Sequence, residues 1–133
     1  MIDVGSTFEK NEILLTGGNG FVGKVLLALL LDRYPQCKHL HVLIRPRENL
    51  SAEERFTREV LESPPLAQIV ERLGPEFIQR KITVWPGDVS RPNCGIDAGE
   101  HPGWAGNVGL ILNCAGLVEF FPPVDQSLRA NVD

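Results

Sequence analysis

The chain has 133 residues, only three cysteines, one methionine and one tyrosine, and no long apolar run. Cys37, Cys94 and Cys114 are scattered, with no Cys-x-x-Cys or Cys/His ligand spacing. An odd, dispersed set argues against a disulfide framework or a zinc knuckle and suits a reducing compartment. The most apolar stretch, Val25 to Leu31, falls far short of a bilayer span and reads as a buried helix. The opening Met1-Ile-Asp-Val-Gly5 lacks the basic flank and apolar centre of a signal peptide, so a cytoplasmic protein is expected. Nor is there an excess of positive charge. Thirteen Lys and Arg against seventeen Asp and Glu leave a net charge of -4, which gives no reason to expect nucleic acid or an anionic membrane as partner.

What is present is ordinary globular material, 43% hydrophobic and 23% charged, enough for one domain with a core. Short apolar runs alternate with helical ones. Glu12 to Thr16, His39 to Ile44, Lys81 to Trp85 and Val108 to Asn113 read as strands. Between them, helices are expected over Phe21–Tyr34, from an N-cap at Ser51 to about Glu62, over Leu66–Leu73, and briefly around Phe77. The Gly- and Pro-rich stretch from Ser90 to Asn107 reads as loop, and Val124 to Asp133 as the start of another helix. Nearly all-apolar strands separated by helices predict a Rossmann-like, doubly wound parallel sheet with helices on both faces. The chain then holds about four strands, the first two adjacent, and a helical insert over about 46–80.

The informative octapeptide is Thr16-Gly17-Gly18-Asn19-Gly20-Phe21-Val22-Gly23. Three glycines at this spacing prove little alone, but here they lie between a strand and a helix, where a dinucleotide fingerprint must lie. Gly17 would make the tight turn, Gly20 would let the backbone approach a pyrophosphate, and Gly23 would let the helix pack closely on the sheet. The bland alternative is a plain strand-to-helix turn. A sharper rival is the phosphate loop, since Gly18 to Lys24 also fits G-x-x-x-x-G-K. That pattern needs Ser or Thr next to hold magnesium, and Val25 stands there.

Two further positions bear on chemistry. Tyr34 and Lys38 match the Tyr-x-x-x-Lys spacing of a catalytic pair, yet Pro35 ends the helix that would align them. A helix starting at the phosphates would also carry Tyr34 about 15–20 Å away. At the end of the second strand, where a carboxylate would select NAD, the chain has Arg45 with Arg47 close behind. Arginine there suits a 2′-phosphate, so NADPH is the expected cofactor; the alternative is two ordinary surface arginines.

Taken in order, Leu15 to Leu27, Val42 to Pro46, Ser51 to Arg55, Gly87 to Gly95 and Cys114 to Phe120 carry a resemblance. The chain resembles the extended short-chain dehydrogenases, and within them the fatty acyl-CoA reductases and related carboxylic-acid thioester reductases, over essentially its whole length. The resemblance implies that Thr16 to Gly23 bind the pyrophosphate and Arg45 the 2′-phosphate. It implies that Asp88 and Val89 flank the adenine, that Cys114, Ala115 and Gly116 line the nicotinamide ribose, and that Asn131 helps order a proton relay. The implied reaction is hydride delivery to a fatty acyl-CoA or acyl-carrier thioester, giving aldehyde or alcohol.

Departures from the family pattern are a loop-like stretch between Gly95 and Gly109 and Gly116 in place of a second alanine. The chain also reaches Asp133 before the family's catalytic Ser/Thr, Tyr and Lys, so it is expected to bind cofactor without turnover. The apolar fourth strand is expected to form an open edge prone to self-association. Alternatives are a nucleotide-sugar epimerase or dehydratase of the same superfamily, against which Arg45 and the insert weigh, and a non-catalytic dinucleotide-binding module.

Overall fold

The computed structural model describes residues 3–96 and 107–115. Helix α1 (Val4–Lys10) leads into strand β1 (Glu12–Thr16), helix α2 (Phe21–Arg33) and strand β2 (His39–Ile44). Then come α3 (Ala52–Arg55), a π-helical segment (Phe56–Leu61), α4 (Pro64–Leu73) and α5 (Pro75–Lys81). Strand β3 (Ile82–Pro86), a 3-10 turn (Pro92–Gly95) and strand β4 (Val108–Asn113) follow. The sheet has the order β3-β2-β1-β4, with every pairing parallel. It is a Rossmann-like sheet with β1 and β2 adjacent, as the alternating pattern predicts.

Alternation along each strand divides the side chains between two faces. Ile13 and Leu15 of β1, Leu40, Val42 and Ile44 of β2, and Ile82 of β3 enter one large core with Leu27, Leu30 and Leu31 of α2. Phe56, Val60, Leu66 and Ile78 from the insert complete that core. Each fully buried side chain of this size contributes about 1.5–3 kcal/mol, so the insert is integral to the fold. On the opposite face, Leu14, Leu43 and Ile96 form a second, smaller cluster against which Trp85 and Cys94 pack.

That smaller face is also polar. Trp85 Nε1 donates to His41 Nδ1 at 2.9 Å, so the other ring nitrogen of neutral His41 carries the proton and donates to Glu12 at 2.9 Å. His39 meets Thr83 at 2.6 Å. Burial pulls the His39 pKa below its ordinary value, with the neighbouring His41 adding to the effect.

Four local features differ from the sequence reading. Helix α1 is absent from it; Asp3 caps that helix by accepting from Ser6 N–H, and Phe8 packs on Tyr34 with ring centroids 5.0 Å apart. Pro75 starts a helix of seven residues that runs through Lys81, so β3 begins one residue later than expected. The helix expected from Ser51 to Glu62 begins on a capping box, Ser51 with Glu54, but changes to π geometry at Phe56. Within the expected loop, a 3-10 turn at Pro92–Gly95 carries Cys94 at φ 57° and Gly95 at φ 70°. The helix expected over Val124–Asp133 lies outside the described residues.

Candidate functional site

All four strands run the same way, so their carboxyl ends gather on one edge, and a cleft of about 620 Å³ opens there. Ligands in open α/β sheets bind at this edge, beside the point where strand order reverses. Here that point lies between β1 and β4, since β2 and β3 follow on one side of β1 and β4 adds on the other.

The floor is the glycine turn. Gly17 has φ +70°, and a Cβ built on it would sit 2.5 Å from the backbone of Cys114 and Ala115. A Cβ on Gly23 would collide with the Gly17 carbonyl. Both positions require glycine for reasons internal to the fold. Gly20 does not: its added Cβ would meet only the Gly17 carbonyl oxygen, at 3.4 Å. Gly20 also serves as N-cap of α2, and no side chain caps that helix. Its first N–H groups and dipole therefore face the cleft as an anion site. Because Phe21 already begins α2, the span from Gly18 to Gly23 is not the open loop that wraps a triphosphate.

Asn113, at the end of β4, fixes this turn against the opposite wall. Its Oδ1 accepts from the Thr16 hydroxyl at 2.5 Å and from Ala115 N–H at 3.2 Å.

The β2 and β3 ends supply the charged wall. Arg45 follows β2 and lines the cleft, together with Leu43 beneath it. Gly87 follows β3, where a side chain would strike Leu43, and its N–H donates to the Ile44 carbonyl. Asp88 is held by Ser90, whose hydroxyl and N–H donate to the same carboxylate oxygen at 2.7 and 2.9 Å. Those bonds, with the nearby charges of Arg45 and Arg91, hold Asp88 below the usual carboxylate range.

Of the residues singled out in the sequence, Gly17, Asn19, Gly20, Phe21 and Val22 line the cleft from the glycine turn. Arg45, Asp88, Val89, Cys114 and Ala115 line it from the other strand ends. Thr16, Gly18 and Gly23 lie behind the surface as support. Arg47 is not among the residues lining the cleft: it borders a shallow depression on the Arg45–Leu50 turn and stands 3.9 Å from Glu59. Gly116 and Asn131 lie outside the described residues. Tyr34 ends α2 with its ring against Phe8 rather than beside the cleft.

Arg55 is a residue the sequence reading used only as part of a motif. It is 4% exposed and still reaches the cleft wall. The signal was available: Ala52, Arg55, Phe56 and Val60 are all buried, so an arginine occupies the apolar stripe of its helix.

A glycine turn between strand and helix, at the carboxyl edge of a parallel sheet, defines a Rossmann-type dinucleotide-binding domain. The NAD-binding family described as male sterility protein matches residues 15–133. "Probable fatty acyl-CoA reductase 4" of Arabidopsis thaliana is 35% identical over 130 residues, covering 92% of this chain and 26% of that protein. "Fatty acyl-CoA reductase 1" of Gallus gallus is 30% identical, covering 99% and 25% respectively. Among solved structures, the terminal R domain of the myxalamid PKS-NRPS pathway aligns at TM-score 0.66 and 25% identity, over 92% of this chain and 29% of that one. The reductase domain of a non-ribosomal peptide synthetase from Mycobacterium tuberculosis aligns at 0.64 and 30%, over 85% and 26%. This chain belongs to that family, the fatty acyl-CoA and thioester reductase branch of the extended short-chain dehydrogenases, and spans about a quarter of the curated relatives it matches.

Proposed function

We propose that this chain is the NADPH-binding part of a cytoplasmic reductase acting on fatty acyl-CoA or acyl-carrier thioesters. The observation that carries the cofactor half of this reading is the pairing of an uncapped α2 N-terminus with Arg45 and Arg55 on one cleft. One end suits a pyrophosphate and the other a 2′-phosphate. The names of the Arabidopsis and chicken relatives support the substrate half.

When bound, NADPH supplies a hydride to the thioester carbonyl. The chain's own residues bind and orient it. The N–H groups at the start of α2 receive the pyrophosphate, and Arg45 pairs with the 2′-phosphate. Asp88 is kept ionised by Ser90 and is ready to accept from the adenine amine. Cys114 and Ala115 would wall the nicotinamide ribose, and the family resemblance gives Gly116 a share in that role and Asn131 the ordering of a proton relay. The tyrosine of the chain is packed on Phe8, and the described residues lining the cleft include no Tyr, Lys or His to act as general acid. The isolated chain therefore binds NADPH without oxidising it in the presence of an acyl-CoA. Strand β4 lies at the end of the sheet order with Ile111 63% exposed, a surface suited to self-association.

The test is a calorimetric titration of the chain with NADPH and with NADH. Binding of NADPH at least about tenfold tighter is expected from a charge-assisted 2′-phosphate contact. Equal affinity for the two would remove Arg45 from its role, and binding of neither by a folded chain would remove the cofactor reading.

A further inference from the structure

A single carboxylate joins the insert to the glycine turn. Glu59, in the π-helical segment, accepts from Arg55 Nε at 2.9 Å and from Asn19 Nδ2 at 3.5 Å on the same oxygen. Its second oxygen lies 3.4 Å from Arg55 Nη2 and 3.9 Å from Arg47. Arg55 Nη1 donates to the Arg45 carbonyl, so the guanidinium also holds the chain at the end of β2. The side chain of Arg55 is 5% exposed, and a buried arginine without its carboxylate loses both orientation and charge compensation. Although burial pushes the Glu59 pKa upward, the hydrogen bond and charge of Arg55, with Asn19 and Arg47, hold it below the ordinary value. The residue is thus an anion at neutral pH, placed between two cations, Arg55 and Arg47, and the glycine turn. π-Helical turns are frequent at functional sites because they re-aim a side chain at a small cost to the helix.

We infer that Glu59 is a positioning residue for cofactor discrimination: by holding Arg55 and Asn19 together it fixes the distance between the 2′-phosphate end and the pyrophosphate end of the cleft. The inference rests on the cofactor reading above. It opposes a simpler electrostatic view in which Glu59 only subtracts positive charge. The two views predict opposite signs. Removing a mere counter-charge leaves Arg47 and Arg55 less compensated and tightens any phosphate ligand. Removing a positioning group loosens Arg55 and weakens the ligand that needs both ends.

The experiment measures binding of NADPH, NADH and adenosine 2′,5′-bisphosphate to the full chain and to Glu59→Gln, Asn19→Ala and the double variant, with a thermal melt of each. Glu59→Gln is expected to weaken NADPH and the bisphosphate by roughly tenfold, and NADH by no more than about threefold. Asn19→Ala, which leaves the Arg55–Glu59 pair intact, narrows the NADPH-to-NADH ratio in the same direction. The double variant is no worse than Glu59→Gln, because both cut one bridge. Tighter NADPH binding, equal weakening of NADPH and NADH, or additive effects would each overturn the inference while leaving the cofactor reading in place. Should Glu59→Gln melt below the assay temperature, Asn19→Ala decides alone, and an unchanged ratio there overturns the inference. A folded wild-type chain that binds none of the three ligands would remove the cofactor reading and the inference together.

Discussion

Two glycines three residues apart should fail in different ways when given a methyl group. At Gly17 the backbone has φ +70°, and the added Cβ would sit 2.5 Å from Cys114 and Ala115 backbone atoms. The left-handed backbone costs an alanine about 1–2 kcal/mol. Forcing apart β1 and β4 at a packed point costs a further ~1–3 kcal/mol. Together these take about 2–5 kcal/mol from a chain whose size implies a total of roughly 7–20. At about 3–6 °C per kcal/mol for this size, Gly17→Ala should lower the melting temperature by on the order of 10 °C or more. Gly20 has φ -80°, an ordinary value, and its Cβ would touch one oxygen at 3.4 Å. Gly20→Ala should therefore melt within about 2 °C of wild type, since surface changes fall within ~0.5 kcal/mol. Its methyl would instead occupy the approach to the α2 N–H groups and weaken NADPH by at least about tenfold. Circular dichroism melts and calorimetric titrations of both variants check this. A Gly17→Ala chain as stable as wild type would refute the packing argument, and a Gly20→Ala chain with intact affinity would refute the placement of the pyrophosphate.

Three further outcomes are expected. Arg45→Ala should weaken NADPH by about one to two orders of magnitude and change NADH little in parallel titrations, as a lost phosphate pairing requires. Ser51→Ala removes the 3.1 Å bond that the Ser51 hydroxyl accepts from Glu54 N–H in the capping box at the start of α3, leaving the reciprocal bond from the backbone N–H of position 51 to the Glu54 carboxylate. It should cost about 1 kcal/mol, read as a drop of a few degrees in the melt. For pH, the folded state favours neutral His39 below the ordinary value of 6.5. That contribution is complete above about pH 6.5 and is lost as pH falls toward the depressed folded value. The lowered pKa values of Asp88 and Glu59 act in the same direction further down, their contributions present above about pH 4.5 and lost below it. The urea midpoint should thus fall between about pH 7.5 and 5, with His39→Gln flattening the upper part of the slope; a midpoint that rises on acidification would contradict the direction of the His39 shift.

Strands β1, β2 and β4 were legible to the residue because each is an apolar run closed at once by glycine, Arg-Pro or a small polar group. Those closures are where the chain leaves the sheet, so one signal located both the strands and most of the cleft. Short helices were less legible. Val4 to Lys10 has no apolar stripe to announce it and depends on one capping aspartate. A change to π geometry at Phe56 adds no residue type of its own; it follows from how Phe56 and Val60 pack in the finished core. The same tertiary dependence hid the pairing of Arg55 with Glu59, since salt-bridge spacing on a helix is common and carries little meaning until the guanidinium is buried. Arg47, by contrast, looked equivalent to Arg45 in sequence. Its place two residues further round a turn, in a bridge with Leu50, leaves it out of the cleft lining and beside Glu59.

Asn113 gives the cleft a side-chain latch beside the backbone bond that Cys114 N–H donates to the Thr16 carbonyl. One oxygen secures Thr16 and Ala115, and the Thr16–Asn113 bond spans 97 positions of sequence. Breaking the side-chain bond leaves only the backbone bond between the two turns, so both loosen together. The amide proton of Ala115 is then a reporter at one wall for motion at the other: its exchange with solvent should track opening of the glycine turn, and a ligand that touches only the turn should slow it.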